Sequence, residues 1–299
     1  MRHVSPGLPE FDYVRAETID QASALLKNGN GGHLLMGGTD VFVQMRNGAI
    51  SPAQLVDVKH LPGMRAIRGN RKKGLEIGAA VTLNALAGHS EVIEGFPLLA
   101  EAAVSVGSYQ LRSRATMGGN LCNASPAADT APAALVLEAV LIVRDSSGER
   151  RILASDFFIG PGKNALHDGE ILTSIVIPPV PKGSVGHYLK FGRNAQGDLA
   201  IVGVAVLAYP DRSSKSGFRF RVALSSVAPT PIRVPAAEAI LAGEEISDAT
   251  IDAAALAARQ AARPIDDVRA SAGYRAAMVE VHARRALRAT WSDVGGRAR

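Results

Sequence analysis

The residues best suited to chemistry in this chain are glycines, amides and hydroxyls; no nucleophile stands beside a base in a recognisable motif. In Leu34-Leu35-Met36-Gly37-Gly38-Thr39-Asp40 an apolar run ends in two glycines and then a helix start. Glycine lets backbone approach a ligand closely, and the unpaired N–H groups of a helix N-terminus favour an anion. Thr39 could add a hydroxyl donor. A lone Gly-Gly is more often a plain strand-to-helix turn. Its spacing is not the G-x-G-x-x-G of a Rossmann loop, and Gly162-Lys163 is no P-loop, because Phe157 stands where the upstream glycine belongs.

A second stretch carries denser chemistry: Arg114-Ala115-Thr116-Met117-Gly118-Gly119-Asn120-Leu121-Cys122-Asn123-Ala124-Ser125-Pro126-Ala127-Ala128-Asp129. It offers another glycine pair, hydroxyls at Thr116 and Ser125, amides at Asn120 and Asn123, and the Asp129 carboxylate. A phosphate wants N–H and hydroxyl donors, while a ribityl or ribose chain wants an acceptor such as a carboxylate. One loop supplying both, near a second phosphate-type loop, is what a dinucleotide requires. The competing reading is a surface loop of Asx turns. Asp129 could equally cap the helix that follows, and that role is compatible with binding. Cys122 reads as a small residue in a tight loop, since nothing nearby favours a thiolate.

Composition narrows the field. With 299 residues, 47% apolar and 20% charged, the chain is of ordinary globular type and long enough for two or three small domains. Its single cysteine excludes an internal disulfide and an iron–sulfur cluster held by this chain, which needs about four thiolates. The seven histidines lack paired spacing, so a zinc site is not expected. A net charge of +5 with only 5% aromatics does not suit nucleic acid, which wants basic residues interleaved with stacking rings. There is neither an apolar run of membrane-spanning length nor an apolar stretch after the first charges, so no signal peptide is expected and the cytoplasm is the default location.

The elements that must position the two loops follow from periodicity. Thr18 caps a helix through Leu26 that Gly29 would close; Leu34 to Met36 and Leu55 to Val58 read as strands, with a helix between them from Thr39-Asp40 to about Arg46. Such a βαβ-like unit seeds a small parallel sheet. Leu75 to Ala79 is a strand, Thr82 caps a helix ending near Gly88, and Pro97 starts another reaching about Gly107. Ala115 to Asp129 reads as loop, with a helix from Thr130 to Leu137 and strands at Val140 to Val143 and Ile171 to Ile177. Pro178-Pro179-Val180-Pro181-Lys182-Gly183 is the clearest linker. Three strands (His187 to Phe191, Ala200 to Tyr209, Phe218 to Ser226) then precede three helices: one begun by Pro235, one capped by Asp248, and one from Ser271 to Thr290 on which Tyr274, Met278 and Val281 share a face.

The two glycine motifs together, with Pro9-Glu10-Phe11-Asp12-Tyr13, Gly169-Glu170-Ile171-Leu172-Thr173-Ser174-Ile175, Tyr188-Leu189-Lys190-Phe191, Tyr274-Arg275 and Arg284-Arg285-Ala286-Leu287, resemble the FAD-binding medium subunit of the xanthine dehydrogenase and carbon monoxide dehydrogenase family. The resemblance covers nearly the whole chain and is most specific in the second motif. It implies an α+β fold: a vanillyl-alcohol-oxidase (PCMH)-type FAD-binding fold of two lobes with the cofactor between them, and a C-terminal three-strand, three-helix domain. The division would be a parallel-sheet lobe at residues 1–60, a mixed-sheet lobe at 61–179, the C-terminal domain at 183–290 and a flexible tail at 291–299.

By motif position the resemblance implies that Leu35, Met36, Gly37, Gly38, Thr39 and Asp40 wrap the FAD diphosphate, with Ala115, Thr116, Gly118, Gly119 and Asn120 on its other side. Asp129 would hold a polar part of the cofactor, Ile171 or Leu172 would pack near the adenine, and Lys190 would also belong to the site. No catalytic residue and no metal ligand is expected. The family pairs this subunit with a small iron–sulfur subunit carrying [2Fe-2S] clusters and a large molybdopterin subunit, commonly as a dimer of heterotrimers. This chain would then pass electrons to NAD+, oxygen or a quinone and turn over no substrate alone. The benzoyl-CoA reductase branch carries an extra cysteine-rich insertion that this chain lacks. The alternative is a stand-alone flavin oxidoreductase of the same fold, such as a UDP-N-acetylenolpyruvoylglucosamine reductase-like enzyme.

Overall fold

The computed structural model describes residues 7–27, 31–194 and 197–297. The turn expected at Gly29 and the N-terminal segment read for a signal peptide up to residue 6 lie outside the described residues. The chain begins with β1 (Asp12–Arg15), α1 (Ile19–Leu26), β2 (Gly32–Leu35), α2 (Val41–Arg46) and β3 (Gln54–Asp57), and its three strands form a parallel sheet in the order β1-β3-β2. Thr18 caps α1 as its sequence suggests, its hydroxyl accepting from the Gln21 amide at 3.1 Å. Because α1 and α2 are the crossovers between parallel strands, the turn after β2 is forced to the C-terminal edge of the sheet, where ligands of parallel sheets bind.

The second lobe holds β4 (Ile67–Asn70), β5 (Gly74–Gly78), α3 (Leu83–Ala87), α4 (Ser90–Gly95), α5 (Pro97–Ser105), α6 (Tyr109–Arg112), α7 (Met117–Cys122), α8 (Thr130–Val136), β6 (Val140–Asp145), β7 (Gly148–Leu153), α9 (Ala154–Phe157), β8 (Phe158–Gly160), β9 (Lys163–Asn164) and β10 (Ile171–Ile177). Its five-stranded sheet has the order β4-β5-β10-β6-β7, and every pairing in it is antiparallel, so the expected mixed sheet is corrected. The strands β4 and β7 escaped the sequence reading because their edge positions leave them half exposed, without a clear apolar alternation.

The C-terminal domain contains β11 (Val185–Phe191), β12 (Val202–Pro210), β13 (Phe218–Ser225), β14 (Ile232–Arg233), α10 (Pro235–Gly243), α11 (Asp248–Ala261) and α12 (Ala272–Arg297). The sheet runs β11-β12-β13-β14 in order, so a fourth, two-residue strand joins the three expected. Ser247, not Asp248, caps α11, its hydroxyl accepting from the Thr250 amide. The final helix continues through Arg297, where a tail was expected from residue 291; residues 298–299 of that tail lie outside the described residues. Trp291 stands edge-on to Phe218 with ring centroids 5.4 Å apart, anchoring that extra length.

The inward face of α12 is also shifted by one residue from the expected one. Arg275, Val279, His282, Ala283, Ala286 and Leu287 are buried, while Tyr274 is 47% exposed. The reason is a buried charge that an apolar periodicity cannot detect. The Arg275 guanidinium donates to the carbonyls of Ile201 (3.1 Å) and Ser226 (3.0 Å) and to Asp267 (2.6 Å), tying the helix to the ends of β12 and β13.

The domain is not an appendage. β12 is buried on both faces, packed by α12 on one side and by the core of the second lobe on the other, which includes Tyr188, Ala205, Leu207 and Ala223. Polar contacts reinforce the junction: His187 bridges Glu101 of α5 and Asp293 of α12 at 3.1 Å each, and its pKa is raised chiefly by the bond to Glu101. Arg221 and Arg233 donate to the carbonyls of Val136 and Leu135 at the C-terminal end of α8, where a cation suits the helix dipole. Among the described residues no helix is long and apolar enough to cross a membrane.

Candidate functional site

The first glycine loop lies between the end of β2 and the start of α2. Gly38 has φ +78°, a left-handed conformation that lets the chain turn sharply out of the strand. Among the described residues, the backbone amides of Gly37, Gly38, Thr39 and Asp40 donate to no protein acceptor. Thr39 is half-buried and its hydroxyl also has no protein partner, while Asp40 is exposed and does not cap α2 with its side chain. Yet enough protein surrounds the Asp40 carboxyl that burial raises its pKa. Four free amides in succession at a helix start are donors that an anion could use.

The second loop lies directly against the first. A Cβ on Gly37 would sit 2.5 Å from the Arg114 carbonyl oxygen and 3.1 Å from the Ala115 Cα, so glycine is needed there for two backbones to touch. Gln44 of α2 donates to Asn123 at 3.2 Å, and Thr116 Oγ1 lies 4.0 Å from Met36 Sδ. The two motifs, read separately in the sequence, are one surface.

Their donors differ from expectation. Ala115 to Asp129 is not all loop: Thr116 caps the short helix α7, its hydroxyl accepting from the Gly119 amide at 3.0 Å. The Met117 and Gly118 amides donate to the carbonyls of Val81 and Ala79, and the Leu83 amide donates to Ala115. These donors are spent on bracing the loop against the second lobe. A Cβ on Gly118 would collide with Ala79 at 2.6 Å, whereas one on Gly119 would meet only the Thr116 hydroxyl at 2.9 Å and is otherwise unobstructed. Asn120 accepts from the Thr130 hydroxyl at 2.6 Å through Oδ1, which leaves its amide N–H groups directed elsewhere.

Asp129 is buried and does not cap α8 with its side chain. Instead its two oxygens accept from Tyr188 Oη (2.7 Å) and Lys190 Nζ (2.8 Å), and Lys190 also donates to the Ser105 carbonyl at 2.9 Å. Burial raises the Asp129 pKa, while the Lys190 charge and the two bonds pull it down. A cavity of about 200 Å³ opens beside Lys190, lined by Ser105, Phe191, Gly192, Arg193 and Asn194. Tyr188 escaped the sequence reading as a site residue. The signal was there, because the alternation of a strand puts residues 188 and 190 on one face. Ile171 and Leu172 sit at the start of β10 with their side chains wholly inside the core, beside a bulge between Leu172 and Ser174.

Cys122 closes α7 as a half-buried free thiol whose pKa burial pushes up to about 12. It stays a neutral thiol at physiological pH and is no nucleophile. Iodoacetamide at pH 8 is therefore expected to label the native protein far more slowly than the urea-unfolded chain, in which one cysteine reacts; equally fast labelling of the folded chain would contradict the raised pKa. No group of three or more His, Cys, Asp or Glu side chains able to hold a metal occurs among the described residues.

A parallel βαβ lobe faces an antiparallel lobe in an α+β protein, with paired glycine loops at the seam. Comparison with known proteins makes the class specific. Residues 9–180 match the FAD binding domain in molybdopterin dehydrogenase, and residues 187–290 match the CO dehydrogenase flavoprotein C-terminal domain. The chain is 32% identical over 285 residues to the carbon monoxide dehydrogenase medium chain of Hydrogenophaga pseudoflava, covering 95% of this chain and 98% of that one. It is 32% identical over 286 residues to the xanthine dehydrogenase FAD-binding subunit of Escherichia coli O157:H7, covering 95% and 97%. A solved carbon monoxide dehydrogenase from Hydrogenophaga pseudoflava superposes with a TM-score of 0.90 at 33% identity, over 96% of this chain and 99% of that one. The chain belongs to the family of FAD-binding subunits of molybdenum hydroxylases, which includes the carbon monoxide and xanthine dehydrogenases.

Proposed function

We propose that this chain relays electrons through FAD between a partner iron–sulfur subunit and an external acceptor. The observation that carries the reading is the run of four unpartnered amides from Gly37 to Asp40, set against a second glycine loop in a chain with a single cysteine. Leu35 to Thr39 and Asp40 would wrap the diphosphate, with the Thr39 hydroxyl as a further donor. Ala115, Thr116 and Gly118 would form the rigid wall behind it, and Gly119 and Asn120 would present open backbone and an amide on its other side. Asp129 and Lys190 would hold a polar part of the cofactor, and Ile171 and Leu172 would back the adenine end from within the core. When bound, FAD supplies the chemistry of a carrier that accepts two electrons and releases them singly or as a pair.

The chain's own residues bind and orient. Nothing in them resembles an acid/base pair for a substrate, and electrons must come from another polypeptide because iron–sulfur clusters need thiolates this chain lacks. A small subunit with [2Fe-2S] clusters and a large molybdopterin subunit, in a dimer of heterotrimers in the cytoplasm, fit this requirement. NAD+, oxygen or a quinone would accept the electrons. The stand-alone reductase reading is not favoured, since the likeness to medium chains runs through both domains.

The test is purification from the native host. Iron, molybdenum and noncovalent FAD are expected to co-purify with this chain, and the separated chain is expected to be yellow but inert toward the complex's substrate. A chain that purifies alone and oxidises a small substrate by itself would falsify the relay.

A further inference from the structure

We infer that Tyr188 is a positioning residue of the flavin site, holding Asp129 in the orientation in which the Asp129–Lys190 pair meets the cofactor. This inference rests on the flavin-site reading above and goes one residue beyond it. The Tyr188 hydroxyl donates to Asp129 Oδ1 at 2.7 Å while Lys190 Nζ donates to Oδ2 at 2.8 Å. Each carboxylate oxygen thus has one donor and keeps a lone pair, so the group can still accept from a ribityl hydroxyl or an imide N–H. The tyrosine is pinned at its other end, where its backbone amide donates to Glu101 at 2.7 Å.

A second observation comes from the neighbouring strand. Gly203 pairs with Lys190 in the β11–β12 ladder, and a Cβ there would meet the Ser225 hydroxyl and fall 2.5 Å from the Tyr188 hydroxyl. Every other residue from Val202 to Ala208 carries a side chain. The strand is bare only where the Tyr188 and Ser225 hydroxyls must fit side by side, and in the middle of a sheet a glycine weakens the strand unless something needs the space.

The groups facing Asp129 are few. Lys190 and Tyr188 come from β11. Glu101 of α5 lies on the far side of the Tyr188 backbone, occupied by His187. Arg221 of β13 and Arg233 of β14 are engaged at the opposite end of α8, Asp156 of α9 is exposed and bonded to Ser155, and Cys122 of α7 is a neutral thiol. β12 brings no charged group. Among the described residues, Tyr188 and Lys190 are the two groups that bond the Asp129 carboxylate and oppose its protonation. Burial favours protonation of Asp129, the phenol opposes it, and the phenol stays a donor at all working pH values because its own pKa lies well above 10.

The experiment is a titration of the purified full-length chain with FAD between pH 5 and 8.5, followed by flavin fluorescence. In the unaltered chain FAD affinity should fall on the acid side as Asp129 takes a proton. Tyr188→Phe keeps the ring and removes one donor, so the midpoint of that fall should move up by about one pH unit, with a roughly tenfold weaker affinity between the two midpoints. If Tyr188→Phe does not fold, Gly203→Ala combined with Ser225→Ala takes its place, since the added carbon then presses on the Tyr188 hydroxyl without removing it, and the same shift is expected. An unmoved midpoint, with Asp129→Asn weakening FAD, would reduce Tyr188 to space-filling and overturn the inference. Asp129→Asn binding FAD as tightly as the unaltered chain would instead sink the placement of Asp129 in the flavin site.

Discussion

Gly37→Ala is expected to lower FAD affinity by a factor of a hundred or more, about 3 kcal/mol. The added carbon would lie 2.5 Å from the Arg114 carbonyl oxygen and 3.1 Å from that carbonyl carbon. Both obstacles are backbone, so neither can rotate aside, and the two loops must part. Parting them moves the four free amides away from the wall that completes the site, and it also breaks a tight packing contact, so thermal stability should drop as well. Gly119→Val is the informative contrast. Its Cβ meets only the Thr116 hydroxyl, at 2.9 Å, and otherwise projects into open space. It should cost the fold little more than the α7 cap, about 1 kcal/mol, while obstructing the ligand side. Bound flavin per protein after gel filtration, measured beside the melting temperature, separates the two. A Gly37→Ala protein that retains full FAD would show that the apposed loops are not the diphosphate site.

Lys190→Met should be the most destabilising single change at the lobe junction. It removes the cation 2.8 Å from Asp129 and leaves a carboxylate buried with only the Tyr188 phenol for support. Breaking one side of a buried ion pair costs about 3–5 kcal/mol. The effect depends on pH with a definite sign. Burial already sets the Asp129 pKa above its ordinary value, and the loss of Lys190, its strongest opposing influence, raises it further. Between the unfolded pKa, about 3.9, and the raised folded value, the folded state holds a proton that the unfolded chain has released. Stability therefore falls as pH rises through that window. The deficit of Lys190→Met should be smallest near pH 4, grow toward neutrality and level off above the folded pKa. Adding Asp129→Asn should recover much of it at pH 7, because no charge is then stranded. Urea unfolding of the three proteins across pH measures this, and a deficit independent of pH would mean that Lys190 contributes packing alone.

Much of the architecture was legible along the chain because its signals are local. Thr18 as a cap, the βαβ start, the proline linker and the run of strands before helices all depend on neighbours within a few residues. What misled the reading was non-local. Thr116 and its glycines looked like a loop of donors, yet the segment is a capped helix whose amides are held by Ala79 and Val81 from another element. On α12 an arginine occupies the inward face, and only the carbonyls at the ends of two strands and Asp267 make that burial tolerable.

The sequence by itself supplied the chemistry on offer: glycines at a strand-to-helix turn, with hydroxyls, amides and a carboxylate in a second motif, suit a diphosphate and a polyol, and it was the resemblance of the two motifs together that pointed to FAD. Only the tertiary structure decided that the two motifs are one surface, and that Asp129 meets Lys190 and Tyr188 from a different domain rather than capping its own helix. The physical reason is that a residue's chemistry is carried in its side chain, whereas a hydrogen bond requires partners within about 3 Å, and residues 37 and 114, or 129 and 190, come that close only once the sheets have packed.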